Sequence, residues 1–244
     1  MDMKLNIVHL YPDVMSLYGE YANIAVPRRH LEALGVTVTV KAVTCEDEPD
    51  FNGADFIYMG AGTERAQKYA LEKLLPYVDG LKAAIGAGAV VLFTGNAMET
   101  LGQSVTDAKG KVWPALGLAD FTTVETDRRD PVDVIAHTLL LDKPVVGFMN
   151  KCSVTRGVST PLFDALTLGF GNEADKGAEG YVSGNVLATH LTGPLLVKNP
   201  HVTDLLIRRI FEAKGWELTD VLPVLPHERE AYVITLRELS SRAK

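Results

Sequence analysis

The chain has 244 residues, 47% of them hydrophobic and 23% charged, so it is long enough to bury a full core and has a globular composition. Its formal net charge of −7 argues against binding nucleic acid or an anionic lipid surface. No apolar stretch is long enough to cross a bilayer, and no signal peptide is predicted. The two cysteines form neither a disulfide framework nor a metal pair, which indicates a cytoplasmic protein.

Strand-like and helix-like segments alternate through the first hundred residues. Strands are predicted at 5–10, 36–40, 56–59 and 90–93, where β-branched and other apolar residues cluster. Helices are predicted at 23–34, with Asn23 as the N-cap, and at 64–78. Such alternation predicts an α/β fold with a doubly wound, mostly parallel sheet flanked by helices.

The second half of the chain is less regular. Residues 105–158 are rich in Asp, Thr and Pro, which predicts hairpins and loops. Strands at 165–168 and 186–190 and helices at 203–214 and 228–242 follow. Because no linker is visible, we expect one domain over residues 1–244 with a C-terminal helical extension at about 215–244.

A candidate anion or oxyanion loop, Gly60-Ala61-Gly62, follows the third predicted strand. Small residues let backbone N–H groups face a ligand at a helix N-terminus, and ligands of doubly wound sheets bind at the carboxyl ends of strands. A plain strand-to-helix turn is the alternative. The spacing fits neither a dinucleotide motif nor a P-loop.

The run VVLFTGNAMETLG at residues 90–102 predicts a buried strand that enters a sharp turn and then a helix. Nucleophile-elbow enzymes use this geometry to expose one reactive side chain, but the tip here is Gly95. A glycine needed for positive φ is the alternative interpretation. His190, at the end of a predicted strand, is either a general base or a hydrogen-bonded strand histidine. The other histidines have no ligand spacing, so no metal site or cofactor is expected.

Six segments, in order and spacing, resemble one family over residues 5–214. They are YPDVMSLYGEYAN (11–23), GAGTERAQ (60–67), TDR (126–128), GFMN (147–150), GFGN (169–172) and LTGPLLVKNP (191–200). The chain resembles the class I glutamine amidotransferase domains of the cobyric acid synthase type, and among them the glutaminase subunits of lipid II isoglutaminyl synthase.

Two departures from the family pattern concern catalysis. The family elbow is Cys-Gly-Gly-Tyr-Gln-x-Leu-Gly, which places Gly95 at the nucleophilic cysteine and Glu99 at the glutamine, and the general-base histidine falls on Thr192. The resemblance also implies that Arg128 holds the substrate. Further substrate-binding positions implied in the same way are Gly60, Ala61, Gly62, Asn96 and Glu99.

The resemblance implies glutamine hydrolysis that supplies ammonia to a Mur-ligase-like, ATP-dependent partner in cell-wall peptide amidation, a step of peptidoglycan biosynthesis. Without the cysteine and the histidine, we interpret the chain as a pseudoenzyme, a binding or scaffolding subunit of a hetero-oligomer with a small carboxylate or amide as its ligand. Three alternatives stay open. They are a glutaminase with relocated residues, an enzyme of another class that uses Glu99, Asp13 or His190 as acid or base, and a cobyric-acid-synthase-like amidotransferase of cobalamin biosynthesis.

Overall fold

The computed structural model describes residues 3–174, 177–218 and 225–243. Six strands form the first of its two sheets: β1 (Lys4–Leu10), β2 (Thr37–Val43), β3 (Phe56–Met59), β4 (Val90–Thr94), β10 (Tyr181–Ser183) and β11 (Val186–Thr189). Their order is β10-β11-β4-β3-β1-β2, and only the edge pair β10–β11 is antiparallel. The predicted doubly wound, mostly parallel sheet is therefore confirmed.

Helices cover both faces of this sheet. They are α1 (Ala22–Ala33), α2 (Glu64–Leu74), α3 (Val78–Gly86), α4 (Leu195–Lys198) and α5 (Pro200–Ala213). Leucines of α2 and α3 pack with Ile57 and Val91 on one face, whereas apolar residues of α1 and α5 pack with Phe56 and Val90 on the other. All residues of β3 and β4 are consequently buried, which explains their continuous apolar sequences.

In the middle of the chain, where the sequence predicts hairpins and loops, antiparallel hairpins join into a second sheet. Its strands are β5 (Ser104–Thr106), β6 (Val112–Pro114), β7 (Thr122–His137), β8 (Val145–Arg156) and β9 (Ala165–Leu168). The long antiparallel pair β7–β8 is irregular between Glu125 and Asp130. The predicted strand at 165–168 pairs with β7 and does not enter the parallel sheet.

Two helix predictions need correction. Asn23 lies inside α1 and is not its N-cap, because its side chain is engaged in the core, where Nδ2 donates to the Tyr58 hydroxyl at 2.8 Å. The helix predicted at 64–78 ends at Leu74, and a 3₁₀ turn at Leu75–Tyr77 separates α2 from α3. Pro76 in that turn lacks the N–H that a continuous helix requires.

The C-terminal helix α6 (Pro226–Arg242) packs on the second sheet through Tyr232 and Leu239, which contact Ile135 and Val146. The extension predicted at about 215–244 includes residues 219–224 and 244, which lie outside the described residues. That the chain forms a single domain stays a prediction. Among the described helices, none combines the length and the apolar character that crossing a membrane requires.

Candidate functional site

A cavity of about 170 Å³ lies at the carboxyl ends of the adjacent strands β11, β4 and β3. Seven of the residues singled out in the sequence line it: Ala61, Gly62, Gly95, Asn96, Glu99, His190 and Thr192. Gly60 directly follows β3 and precedes the two small residues that line the cavity. The structure thus brings together the predicted elbow, the glycine-rich turn and the position of the family histidine.

The elbow has the geometry expected of it but no room for a nucleophile. Gly95 directly follows β4 and is the first residue of a 3₁₀ helix (Gly95–Leu101). Its φ of +60° is a left-handed conformation that favours glycine. A Cβ atom at this position would overlap the Cβ of Ala61 and lie 3.2 Å from its Cα. Ala61 therefore occupies the space that a cysteine side chain needs.

The glycine-rich turn is joined to the elbow by Asn96. Its Oδ1 accepts a hydrogen bond from the Gly62 N–H at 3.0 Å, and its Nδ2 donates to the Gly62 carbonyl at 3.0 Å. Gln67 adds a third bond, from Nε2 to the Asn96 carbonyl, at 2.6 Å. The Gly62 N–H is consequently engaged within the protein and does not point freely at a ligand.

The hydroxyl of Thr192, at the position of the family histidine, donates to Glu20, a carboxylate that is fully buried. The other donors to this carboxylate are the Gly193 N–H (2.8 Å), the Tyr58 hydroxyl (2.6 Å), the Thr94 hydroxyl and Asn23 Nδ2 (3.2 Å). Sequence reasoning missed Glu20, although it lies within the first segment that carries the family resemblance. An acidic residue in a turn suggests a solvated side chain unless its partners are known.

His190 lies between two buried glutamates. Its Nδ1 is 3.0 Å from Glu179 Oε1, and its Nε2 is 3.6 Å from Glu99 Oε1. Burial by itself raises the pKa of both carboxyls, but the hydrogen bonds and charge of His190, together with hydrogen bonds from other neighbours, hold the pKa values of Glu99 and Glu179 below the usual range. His190 is thus hydrogen-bonded, as one of its two interpretations expects, and also lines the cavity.

Arg129, and not Arg128, lines the cavity. Arg128 is 83% exposed and pairs with Asp130 at 2.5 Å. Arg129 Nη2 contacts Glu64 Oε1 at 2.5 Å, and Nη1 donates to the Asn150 carbonyl at 3.2 Å. Both arginines lie in the irregular part of β7, where alternation does not tell which of two neighbours faces inward.

Two further reactive side chains line the cavity, both on β8. Burial, and next the charge of Glu64, raise the pKa of the Cys152 thiol to about 11, so it is protonated at neutral pH. Burial lowers the pKa of Lys151 to about 8, and its ammonium group donates to the carbonyls of Gly171 and Asn172 at 2.9 Å. In the part of the chain that the structure describes, no group of His, Cys, Asp and Glu is arranged to hold a metal ion.

Comparison with known proteins agrees with this geometry. The model of the CobB/CobQ-like glutamine amidotransferase domain matches residues 6–200. The chain belongs to this family. It is 29% identical over 242 residues to subunit GatD of the glutamine-hydrolysing lipid II isoglutaminyl synthase of Staphylococcus aureus, covering 98% of this chain and 96% of the relative. It is 30% identical over 214 residues to the corresponding subunit of Streptococcus pneumoniae, covering 86% of this chain and 82% of the relative.

Solved structures confirm the amidotransferase fold. PurLQS from Thermotoga maritima superposes with a TM-score of 0.51 at 12% identity, over 87% of this chain and 97% of the other. A glutamine amidotransferase from the same organism gives a TM-score of 0.51 at 10% identity, over 100% of this chain and 98% of the other. At such identities the likeness concerns the fold alone.

Within this amidotransferase domain, the hydroxyls nearest the elbow are bonded to buried carboxylates. Thr94, which precedes Gly95, is fully buried and donates to Glu20. Ser153 donates to Glu99, whose other oxygen accepts from Gln67 Nε2 at 2.6 Å. Neither hydroxyl is bonded to His190. The His190 Nε2 lies 3.4 Å from the buried Thr155 hydroxyl, which does not line the cavity, so neither Thr94 nor Ser153 forms a hydroxyl–imidazole pair for nucleophilic catalysis.

The Glu179–His190 contact makes the stability of the domain depend on pH. Because the folded-state pKa of Glu179 lies below the unfolded value of about 4.3, its contribution is fully present above that pH and is lost as the pH falls through the folded pKa. We expect Glu179→Gln to lower the free energy of unfolding by about 1–3 kcal/mol at pH 7, and this difference to shrink below about pH 4.

Urea unfolding of both proteins between pH 7 and pH 3 measures this difference. Glu173→Gln is the matched control, since that carboxylate is 53% exposed and pairs with an exposed arginine. A Glu179→Gln deficit that stays constant across the whole pH range would contradict the assignment.

Proposed function

We propose that this domain does not hydrolyse glutamine and acts as a binding or scaffolding subunit beside a Mur-ligase-like, ATP-dependent enzyme that amidates cell-wall peptide. The observation that carries the proposal is the glycine at the elbow with Ala61 packed against it. Hydrolysis of an amide by this family's chemistry needs a thiolate that attacks and an imidazole that activates it. Loss of one such member costs about six orders of magnitude in turnover.

No neighbouring group substitutes for the missing pair. The Thr94 and Ser153 hydroxyls are held by carboxylates, and the high pKa of Cys152 keeps its thiol protonated. These contacts argue against a glutaminase with relocated residues. They argue equally against an enzyme of another class, because Glu99 and His190 are saturated with protein partners and Asp13 does not line the cavity.

A scaffolding role is supported by what the domain retains. Several polar groups that line the cavity are engaged within the protein: Arg129 by Glu64, Lys151 by two backbone carbonyls, and Thr192 by Glu20. A surface that binds a partner needs an intact fold and no nucleophile. A small carboxylate or amide ligand would enter at Arg129, which is the guanidinium at the cavity wall.

The relatives support the proposed kind of partner. Both are subunits of lipid II isoglutaminyl synthase, and the match extends over most of each chain. This favours cell-wall peptide amidation over the cobalamin pathway. Free cysteines at positions 45 and 152 fit the reducing cytoplasm in which we place the complex.

We expect the purified chain to release no ammonia from glutamine above background, and the tagged native chain to co-purify with an ATP-using ligase. The GatD subunit of Streptococcus pneumoniae, assayed in parallel, is the positive control for ammonia release. Turnover by this chain near the typical enzyme value of about 1 s⁻¹ or above would overturn the proposal.

The structure also predicts what restoring the catalytic pair requires. Gly95→Cys with Thr192→His is insufficient, because the new Cβ at position 95 overlaps Ala61. We expect the double variant to be destabilised by more than the 1–3 kcal/mol that positive φ alone costs, and Ala61→Gly to recover part of that loss.

Thermal unfolding of the double and triple variants, with the pH dependence of alkylation at position 95, measures both effects. In the triple variant, an imidazole in reach of the thiol lowers its pKa below the free value of about 8.5. If adding Ala61→Gly gave neither more stability nor more reactivity, Ala61 would not be the obstruction.

A further inference from the structure

A second and larger concavity borders the site. It has a volume of about 470 Å³ and lies between one face of α2 and the hairpin formed by β5 and β6. Glu64 and Glu125 line both this groove and the inner cavity, so the two spaces share a wall. A volume of several hundred Å³ is typical of sites for small molecules.

Two aromatic rings belong to the walls of this groove, one from each side. Tyr69 of α2 is 38% exposed, and Trp113 of β6 is half-buried. Each ring has a lysine against it, since Lys111 Nζ lies 3.3 Å from the Trp113 centroid and Lys73 Nζ lies 5.4 Å from the Tyr69 centroid. The Trp113 indole N–H donates to Asp107 at 3.1 Å, which fixes the ring against the hairpin.

Counted together with the lysines that lie against its two rings, the groove has more unpaired cations than unpaired carboxylates. Glu64 is paired with Arg129 and Glu125 with Lys68, which leaves the carboxylates of Glu72 and Asp107; the donors to Asp107 are the indole and two backbone N–H groups, which are neutral. Four cations in or beside the groove have no ion pair among the described residues: Arg65, Lys73, Lys109 and Lys111. A chain of net charge −7 thus presents a locally basic, aromatic surface beside its former active site.

We propose that this groove binds a small anion that carries a planar ring, of the nucleoside monophosphate kind. Aromatic side chains stack on planar rings with little regard to their substituents, and the surrounding cations attract a phosphate. Among the described residues, the inner cavity lacks free cations, because Arg129 is paired with Glu64 and Lys151 donates to two backbone carbonyls. The inference is independent of whether the domain hydrolyses glutamine.

Fluorescence of Trp113 reports occupancy directly. The chain has two tryptophans, and Trp216, which packs on Phe211, is removed by Trp216→Phe so that Trp113 is the only emitter. In this background we expect adenosine monophosphate to give a saturable change with a Kd at least about tenfold lower than that of adenosine or inorganic phosphate. A change no tighter than with inorganic phosphate alone, or none that saturates by about 10 mM, would overturn the proposal.

Substitutions that each remove one positive charge distinguish binding at this groove from general electrostatic attraction of the nucleotide. Arg65→Gln and Lys109→Gln should each raise the Kd for adenosine monophosphate about two- to fivefold, the range of exposed charge interactions. Lys82→Gln, on α3 and outside the groove, removes the same charge and should leave the Kd unchanged. Equal weakening by all three variants would show that only net charge matters and would contradict the proposed site.

Ammonia release from glutamine is measured separately on the same protein. The ammonia assay gives the same result whether or not the groove binds a nucleotide. Absence of nucleotide binding would therefore contradict only this inference, and release of ammonia would contradict only the proposed function.

Discussion

The buried carboxylate of Glu20 organises the carboxyl-end face of the central sheet. It accepts hydrogen bonds from residues that follow or end β3, β4 and β11 and from the first turn of α1. No positively charged group donates to it among the described residues. A carboxylate buried in this way costs several kcal/mol unless hydrogen bonds replace its water, and five donors do so here.

This network shows how the fold accommodates the residues at the positions that the family pattern gives to the catalytic pair. Thr192, at the histidine position, donates its hydroxyl to Glu20, and Ala61 packs against Gly95, at the cysteine position. Each of the two residues is matched by a neighbour of complementary size or polarity. These contacts are the structural basis of the proposal that the domain does not hydrolyse glutamine.

Much of the architecture followed from local patterns in the sequence. Continuous apolar strands, helices with apolar faces and a glycine at the elbow gave the parallel sheet and located the site at its carboxyl end. Order and spacing of the motifs indicated the family. Composition predicted hairpins and loops in the middle of the chain but not a second sheet. There β7 and β8 pair as one long antiparallel hairpin, and β5 and β9 pair with β7.

The residues missed in the site share a physical cause. Glu20, Glu179 and Arg129 take their roles from partners on other elements of the fold, and for Glu20 with Thr192 and Arg129 with Glu64 these partners are far away in sequence. The resemblance assigned the substrate-binding arginine to Arg128, whereas Arg129, its neighbour in the irregular part of β7, lines the cavity. Burial of a charged group in a turn depends on donors that only the tertiary structure supplies.

The most direct test of the role assigned to Glu20 is the free energy of unfolding of Glu20→Gln. The amide would place an N–H₂ group opposite N–H groups that can only donate, such as that of Gly193. We therefore expect the free energy of unfolding to fall by about 1–3 kcal/mol. Glu32→Gln, which removes an exposed carboxylate paired with Arg28 within α1, should change the stability by no more than about 0.5 kcal/mol. If Glu20→Gln were as stable as the unaltered chain, the carboxylate would not hold the site together and this account of it would be wrong.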